Sequence, residues 1–108
     1  MELTQIAEIL AVWAVQKPLI KRVFVFGSRV RGDHDEQSDL DVAVELDQTE
    51  YRDESQGLAT WICEKQGWTN ELEVGIPHEV QLVRYAGEDT PVIAKALRAS
   101  SLMVYEKR

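Results

Sequence analysis

Asp39 and Asp41 stand two residues apart at the head of an apolar run, "LDVAVEL" (40 to 46), and the two-residue period of a strand places both carboxylates on one face. Two like charges a few ångströms apart repel unless a cation lies between them. Oxygen-only donors of this kind suit Mg²⁺, which takes one or two protein carboxylates and fills its shell with water and substrate phosphates. Ten residues earlier, a second apolar run, "IKRVFVF" (20 to 26), breaks at Gly27-Ser28. Glycine there lets a ligand approach the main chain, and the N–H groups opening a helical turn point outward. Ser28 adds a hydroxyl, and Arg29 and Arg31 add positive charge, a combination that suits phosphate. Each feature also has an ordinary reading: Gly-Ser makes common turns, and acids are tolerated at a solvated strand start.

The elements that must position these residues follow from periodicity. Leu3, Ile6, Ala7, Ile9, Leu10, Val12 and Trp13 recur at three- and four-residue spacings, predicting an amphipathic helix over 3–16 that ends near Pro18. The runs at 20–26 and 40–46 are rich in β-branched residues and predict buried neighbouring strands. Leu58, Trp61, Ile62 and Cys63 predict a helix over 53–66 with Gly67 as its stop and Cys63 in the core, followed by "GWTNELEVGIP" as a connection. "HEVQLVRY" (78–85) alternates and predicts a third strand. Thr90 as N-cap and Pro91 open a last helix, and "LMVYE" adds a short edge strand. This order predicts an α/β fold in one domain, 1–108: a small sheet of three or four strands flanked by helices.

Composition narrows the function. The net charge of -7 and pI near 4.8 work against the sequence-independent attraction that duplex nucleic acid exerts on basic proteins. The single Cys63 has no internal disulfide partner, "MELTQIAEIL" lacks a basic leader, and no apolar stretch approaches the ~20 residues of a membrane span. A cytoplasmic setting without a membrane is the expectation. His34 and His78 are isolated and read as surface or loop residues, Trp13, Trp61 and Trp68 as packing residues, and Asp33, Asp35 and Glu36 as a solvated loop tip.

Gly27-Ser28, ten residues, then Asp39-Leu40-Asp41 between two strands resembles the GS-x10-D-x-D signature of the nucleotidyltransferase superfamily that includes DNA polymerase β. With its Gly-Ser-Arg-Val-Arg-Gly turn and small size, the chain is similar to the minimal nucleotidyltransferase (MNT) domains, of the antitoxin type. The specific motifs lie within 27–41. The resemblance implies a nucleotidyltransferase fold with a mixed sheet, ATP as nucleotide donor held by Gly27, Ser28, Arg29 and Arg31, and Mg²⁺ held by Asp39 and Asp41. It also implies a partner: such proteins commonly stand beside HEPN-domain ribonuclease toxins and adenylylate one of their tyrosines.

The family's third carboxylate, on a later strand inside an apolar run, has no counterpart, because the matching run is Val80-Gln81-Leu82-Val83. A glutamine is neither a base nor a strong metal ligand. Glu79, on the same strand face but about 6.5 Å away, is the candidate substitute; the ordinary reading of Glu79 and Gln81 is a solvated edge face. Three functions follow. The chain transfers AMP to a protein hydroxyl as an antitoxin, neutralises a HEPN partner by binding alone, or modifies a small molecule, the last disfavoured because no second domain shapes an acceptor site.

Overall fold

The computed structural model describes all 108 residues. Helix α1 (Leu3–Val15) leads into strand β1 (Ile20–Phe26), the short helix α2 (Ser28–Arg31) and strand β2 (Leu40–Leu46). A 3-10 turn precedes the long helix α3 (Glu54–Gly75), and β3 (Val80–Arg84), α4 (Pro91–Ala99) and β4 (Ser101–Glu106) complete the chain. The sheet order is β3-β2-β1-β4, with β1 antiparallel to both β2 and β4 and β3 parallel to β2. This is the mixed four-stranded sheet flanked by helices that the sequence predicts, and β4 is an edge strand as expected.

Alternation along the strands separates two faces. Leu40, Val42, Val44 and Leu46 of β2, Val80 and Leu82 of β3, and Ile20, Val23 and Val25 of β1 point one way. They are buried against Ile6 and Leu10 of α1 and Trp61, Trp68 and Leu72 of α3. A side chain of this size contributes about 1.5–3 kcal/mol when fully buried, so this layer dominates the stability. The opposite face carries Asp41, Ala43 and Glu45 of β2 and Gln81 of β3. Asp41 and Gln81 are register partners across the parallel pair.

Helix α3 departs from expectation. It runs to Gly75, past the predicted stop at Gly67, because Trp61, Trp68 and Leu72 form one continuous buried stripe on one face of the helix. Burial of Trp68 and Leu72 outweighs the roughly 1 kcal/mol that a mid-helix glycine costs. Asp53 caps its start, its side chain accepting from the Gln56 N–H at 2.9 Å. Cys63, expected in the core, is exposed. Leu58 and Ile62 are also exposed, so the buried face is the one that Trp61 marks. A Cβ at Gly67 would meet nothing within 4 Å. Gly67→Ala is therefore expected to stabilise the protein by about 1 kcal/mol, read as a higher urea midpoint at unchanged slope.

Two smaller expectations also change. The third strand is shorter than predicted, Val80–Arg84 instead of 78–85. Thr90 does not cap α4 with its side chain; its hydroxyl accepts from the Ala86 N–H at 2.9 Å and closes the preceding turn. The three tryptophans do pack together, with Trp13–Trp68 and Trp61–Trp68 edge-to-face at 5.9 and 6.1 Å.

Candidate active site

The C-terminal end of β1 and the N-terminal ends of β2 and β3 meet at one end of the sheet. Phe26, the last residue of β1, pairs with Asp41, so Gly27 leaves the sheet beside that carboxylate. Gly27 has φ +79° and ψ -148°, a conformation that is essentially glycine-only. A Cβ built on it would lie 2.5 Å from Asp41 Oδ2. Backbone and carboxylate are in direct contact, and only the absence of a side chain allows it. The chain then turns into α2, closed by Gly32 in the left-handed conformation with its N–H donating to the Ser28 carbonyl. The first N–H groups of such a turn have no intrahelical partner.

Asp39 and Asp41 are half-buried on the face opposite the core. Burial pushes the Asp41 carboxyl above the usual range; Asp39 pushes it further, and Arg31 opposes them. The pair is thus a concentration of negative charge that a cation would relieve. The strand register brings Gln81 next to it: the Gln81 Nε2 donates to Asp39 Oδ2 at 3.3 Å and to Glu79 Oε1 at 3.4 Å. Glu79 precedes β3 and is exposed, and its carbonyl accepts from the Leu40 N–H at 2.8 Å, which locks the head of β2 to the head of β3. No three His, Cys, Asp or Glu side chains converge as a ready-made metal cage. Two carboxylates without a converging histidine or cysteine are a donor set that fits Mg²⁺ and does not fit a structural zinc site.

A nucleotidyltransferase domain model matches residues 6–99, a span that runs from the first turn of α1 to the end of α4 and leaves out β4. The chain belongs to the nucleotidyltransferase family. Among solved structures, a toxin–antitoxin complex with AMP-PNP aligns with TM-score 0.66 at 18% identity, covering 94% of this chain and 74% of that one. A double aspartate-to-glutamate variant of the MntA-HpeT toxin–antitoxin pair aligns with TM-score 0.64 at 18% identity, over 100% of this chain and 76% of that one. Another variant of that pair aligns with TM-score 0.60 at 19% identity, over 100% and 75%. No curated protein sequence matches.

Within this nucleotidyltransferase domain, the residues expected at the site sit in different settings. Gly27, Ser28, Asp39 and Asp41 come together at the sheet end. Arg31 is exposed on α2, its Nε 3.1 Å from Asp33 Oδ2 in a solvated pair, and its charge reaches Asp41. Arg29 corrects the expectation of a phosphate ligand, because its side chain turns inward and the residue is only 6% exposed. Its Nη2 donates to the Ser38 carbonyl at 2.9 Å and to His78 Nδ1 at 3.2 Å. His78 lies in the connection before β3, as the loop reading expects, but it is half-buried there; burial and then the Arg29 charge hold its ring below the ordinary histidine range. His34, Asp33, Asp35 and Glu36 are exposed at the loop tip, as expected.

The site is an open shelf. The largest surface groove, about 720 Å³ and lined by Val12, Val15, Pro18, Val104 and Tyr105, lies between α1 and β4 and shares no residue with the carboxylates. No helix is long and apolar enough to cross a membrane.

Proposed function

We propose that the protein transfers AMP from ATP to a hydroxyl of a protein partner, a tyrosine of a HEPN toxin, and acts as its antitoxin. The contact of the Gly27 backbone with Asp41 carries this reading, because it puts a phosphate-accepting turn directly against a carboxylate pair. Support also comes from the structural relatives that are toxin–antitoxin pairs, one with the ATP analogue AMP-PNP. The open shelf favours an acceptor delivered on a partner's surface over a small molecule enclosed in a pocket.

In this reading the α2 turn, with Ser28 and Arg31, receives the triphosphate, and Asp39 and Asp41 hold Mg²⁺. The ion supplies neutralisation of charge on the phosphates and a lower pKa for the attacking hydroxyl. The acceptor oxygen attacks the α-phosphorus in line, the bond to the β-phosphate oxygen breaks, and pyrophosphate leaves. The hydroxyl proton passes to Glu79, the remaining carboxylate on the shelf, or through it to water. Incubation of the protein with α-labelled ATP, Mg²⁺ and its genomic-neighbour toxin tests this. Label on a toxin tyrosine is the expected result; no label, with or without Mg²⁺, would refute it.

Gln81 favours a second reading, in which the chain neutralises its partner by contact alone. The amide occupies the place of a third carboxylate and spends its donors on Asp39 and Glu79. The two readings separate at Gln81→Asp. A transferase limited by this position should bind Mg²⁺ about tenfold more tightly and turn over faster, in line with the 10–100-fold range seen for groups that tune a metal site. A partner-binder should neutralise the toxin equally well before and after the change, and also with Asp39→Asn.

A further inference from the structure

Arg29 is the one buried charged residue of the protein, and no carboxylate pairs with it. Burying a guanidinium without a counter-ion is costly, so what it holds together must matter to the fold or to the site. Both hydrogens of its Nη2 are committed. One goes to the Ser38 carbonyl, the residue before Asp39, and the other to His78 Nδ1, the residue before Glu79 and three before Gln81. A guanidinium is a donor only, so His78 must accept at Nδ1 and carry its proton on Nε2, an atom that is buried without a partner. Arg29 itself stands one residue after Ser28, in the turn that follows Gly27.

The three segments that bear the site residues therefore meet at one side chain: the turn at 27–31, the loop ending at Asp39, and the connection leading to Glu79 and Gln81. The loop has little else to fix it. From His34 to Ser38 its other hydrogen bonds are internal, namely Asp35 N–H to Ser38 Oγ at 3.0 Å, Gln37 N–H to Asp35 Oδ1 at 2.8 Å, Ser38 Oγ to Asp35 Oδ1 at 3.3 Å and Ser38 N–H to the Asp35 carbonyl at 3.2 Å. Arg29 is the one tie from that stretch to the body of the protein.

From this juxtaposition we infer that Arg29 is a positioning residue, which through Ser38 and His78 sets Asp39 and the β3 rim at their distance from the phosphate-accepting turn. This rests on the transferase reading of the site. It makes Arg29 act on the metal-binding side of the reaction and not on the nucleotide directly.

The test uses the full chain with Arg29→Met, which keeps the aliphatic stem, and Arg29→Lys, which keeps a donor. Amide hydrogen exchange across 34–40 and 76–80 should quicken at least tenfold in Arg29→Met, while α1 and α3 keep their protection. Mn²⁺ titration followed by paramagnetic resonance should show affinity about tenfold weaker. In the transfer assay kcat should fall while KM for ATP stays, and Arg29→Lys should recover part of each loss. A raised KM at constant kcat would mean that Arg29 binds nucleotide, and unchanged exchange would mean that it positions nothing; either overturns the inference. If Arg29→Met does not fold, His78→Ala, which spares the Ser38 bond, should quicken exchange at 76–80 and weaken Mn²⁺, and no change there would overturn it. A native protein that neither binds Mn²⁺ nor transfers label would refute the transferase reading instead, and the exchange data would still decide the role of Arg29.

Discussion

Asp41→Asn is expected to abolish nucleotide transfer while making the metal-free protein more stable. In the proposed reading Asp41 holds Mg²⁺, and losing that ligand would forfeit several kcal/mol of transition-state charge stabilisation, about a thousandfold or more in rate. The stability change has the opposite sign. Burial and Asp39 raise the Asp41 carboxyl above its ordinary 3.8, so the folded protein holds that proton more tightly than the unfolded chain does. Stability then falls as pH rises from the ordinary value through the raised folded one, and the deficit persists at neutral pH. Asparagine does not ionise and escapes the deficit. In EDTA at pH 7 the variant should therefore melt at or above the native protein, and the two should converge as the pH falls below 4. Saturating Mg²⁺ with nucleotide should invert the order, because ligand at 100 times Kd adds about 2.7 kcal/mol to the native protein alone. Calorimetric melts in the two media check this. A variant that melts lower than the native protein in both would mean that the Asp41 carboxylate is a structural group and not half of a cation site.

What the sequence discloses here depends on whether chemistry is carried by residue type or by tertiary contact. Asp39, Asp41, Gly27 and Ser28 are legible because their spacing between two strands already constrains their geometry, and the strand period alone predicts a shared face. The apolar run around Gln81 is legible as the place of a third carboxylate, but the parallel register that sets Gln81 opposite Asp41 is not, because strand direction and pairing are settled only by the tertiary fold. The length of α3 is not legible, since Gly67 carries the same local signal whether a helix stops there or merely exposes that position to solvent. Only the burial of Trp68 and Leu72 decides between them. The exposure of Cys63 follows from the same ambiguity: Leu58, Trp61, Ile62 and Cys63 span more than one face, and the choice of buried face depends on the sheet beneath. The bond between Arg29 and His78 joins positions 49 residues apart, and neither residue type nor local pattern foretells it. The unusual sign in the sequence was present but unspecific, an arginine next to the Gly-Ser turn that reads as a phosphate ligand until its burial is known.

Gly27→Ala is expected to damage both the fold and the site, through two effects that a double-mutant cycle can separate. The first is conformational. At φ +79° and ψ -148° any side chain is strained, which costs on the order of 1–3 kcal/mol. The second is contact. The new Cβ would fall 2.5 Å from Asp41 Oδ2 and 3.4 Å from its Cγ, so either the carboxylate rotates away or the β1 end shifts. The total destabilisation should reach at least about 2 kcal/mol, and transfer should fall by two orders of magnitude, since displacements near 1 Å at a reacting centre have costs of that size. In an Asp41→Ala background the oxygen and Cγ are gone and the nearest remaining atom, the Cβ of residue 41, lies at an ordinary 3.7 Å. There the same Gly27→Ala change should incur only the conformational part, so the two substitutions should be non-additive by an appreciable fraction of the total. Urea unfolding of the four proteins measures it. Equal costs in both backgrounds would show that glycine is required at position 27 for its backbone angles alone, and the packing of phosphate turn against carboxylate would lose its standing as the feature that defines the site.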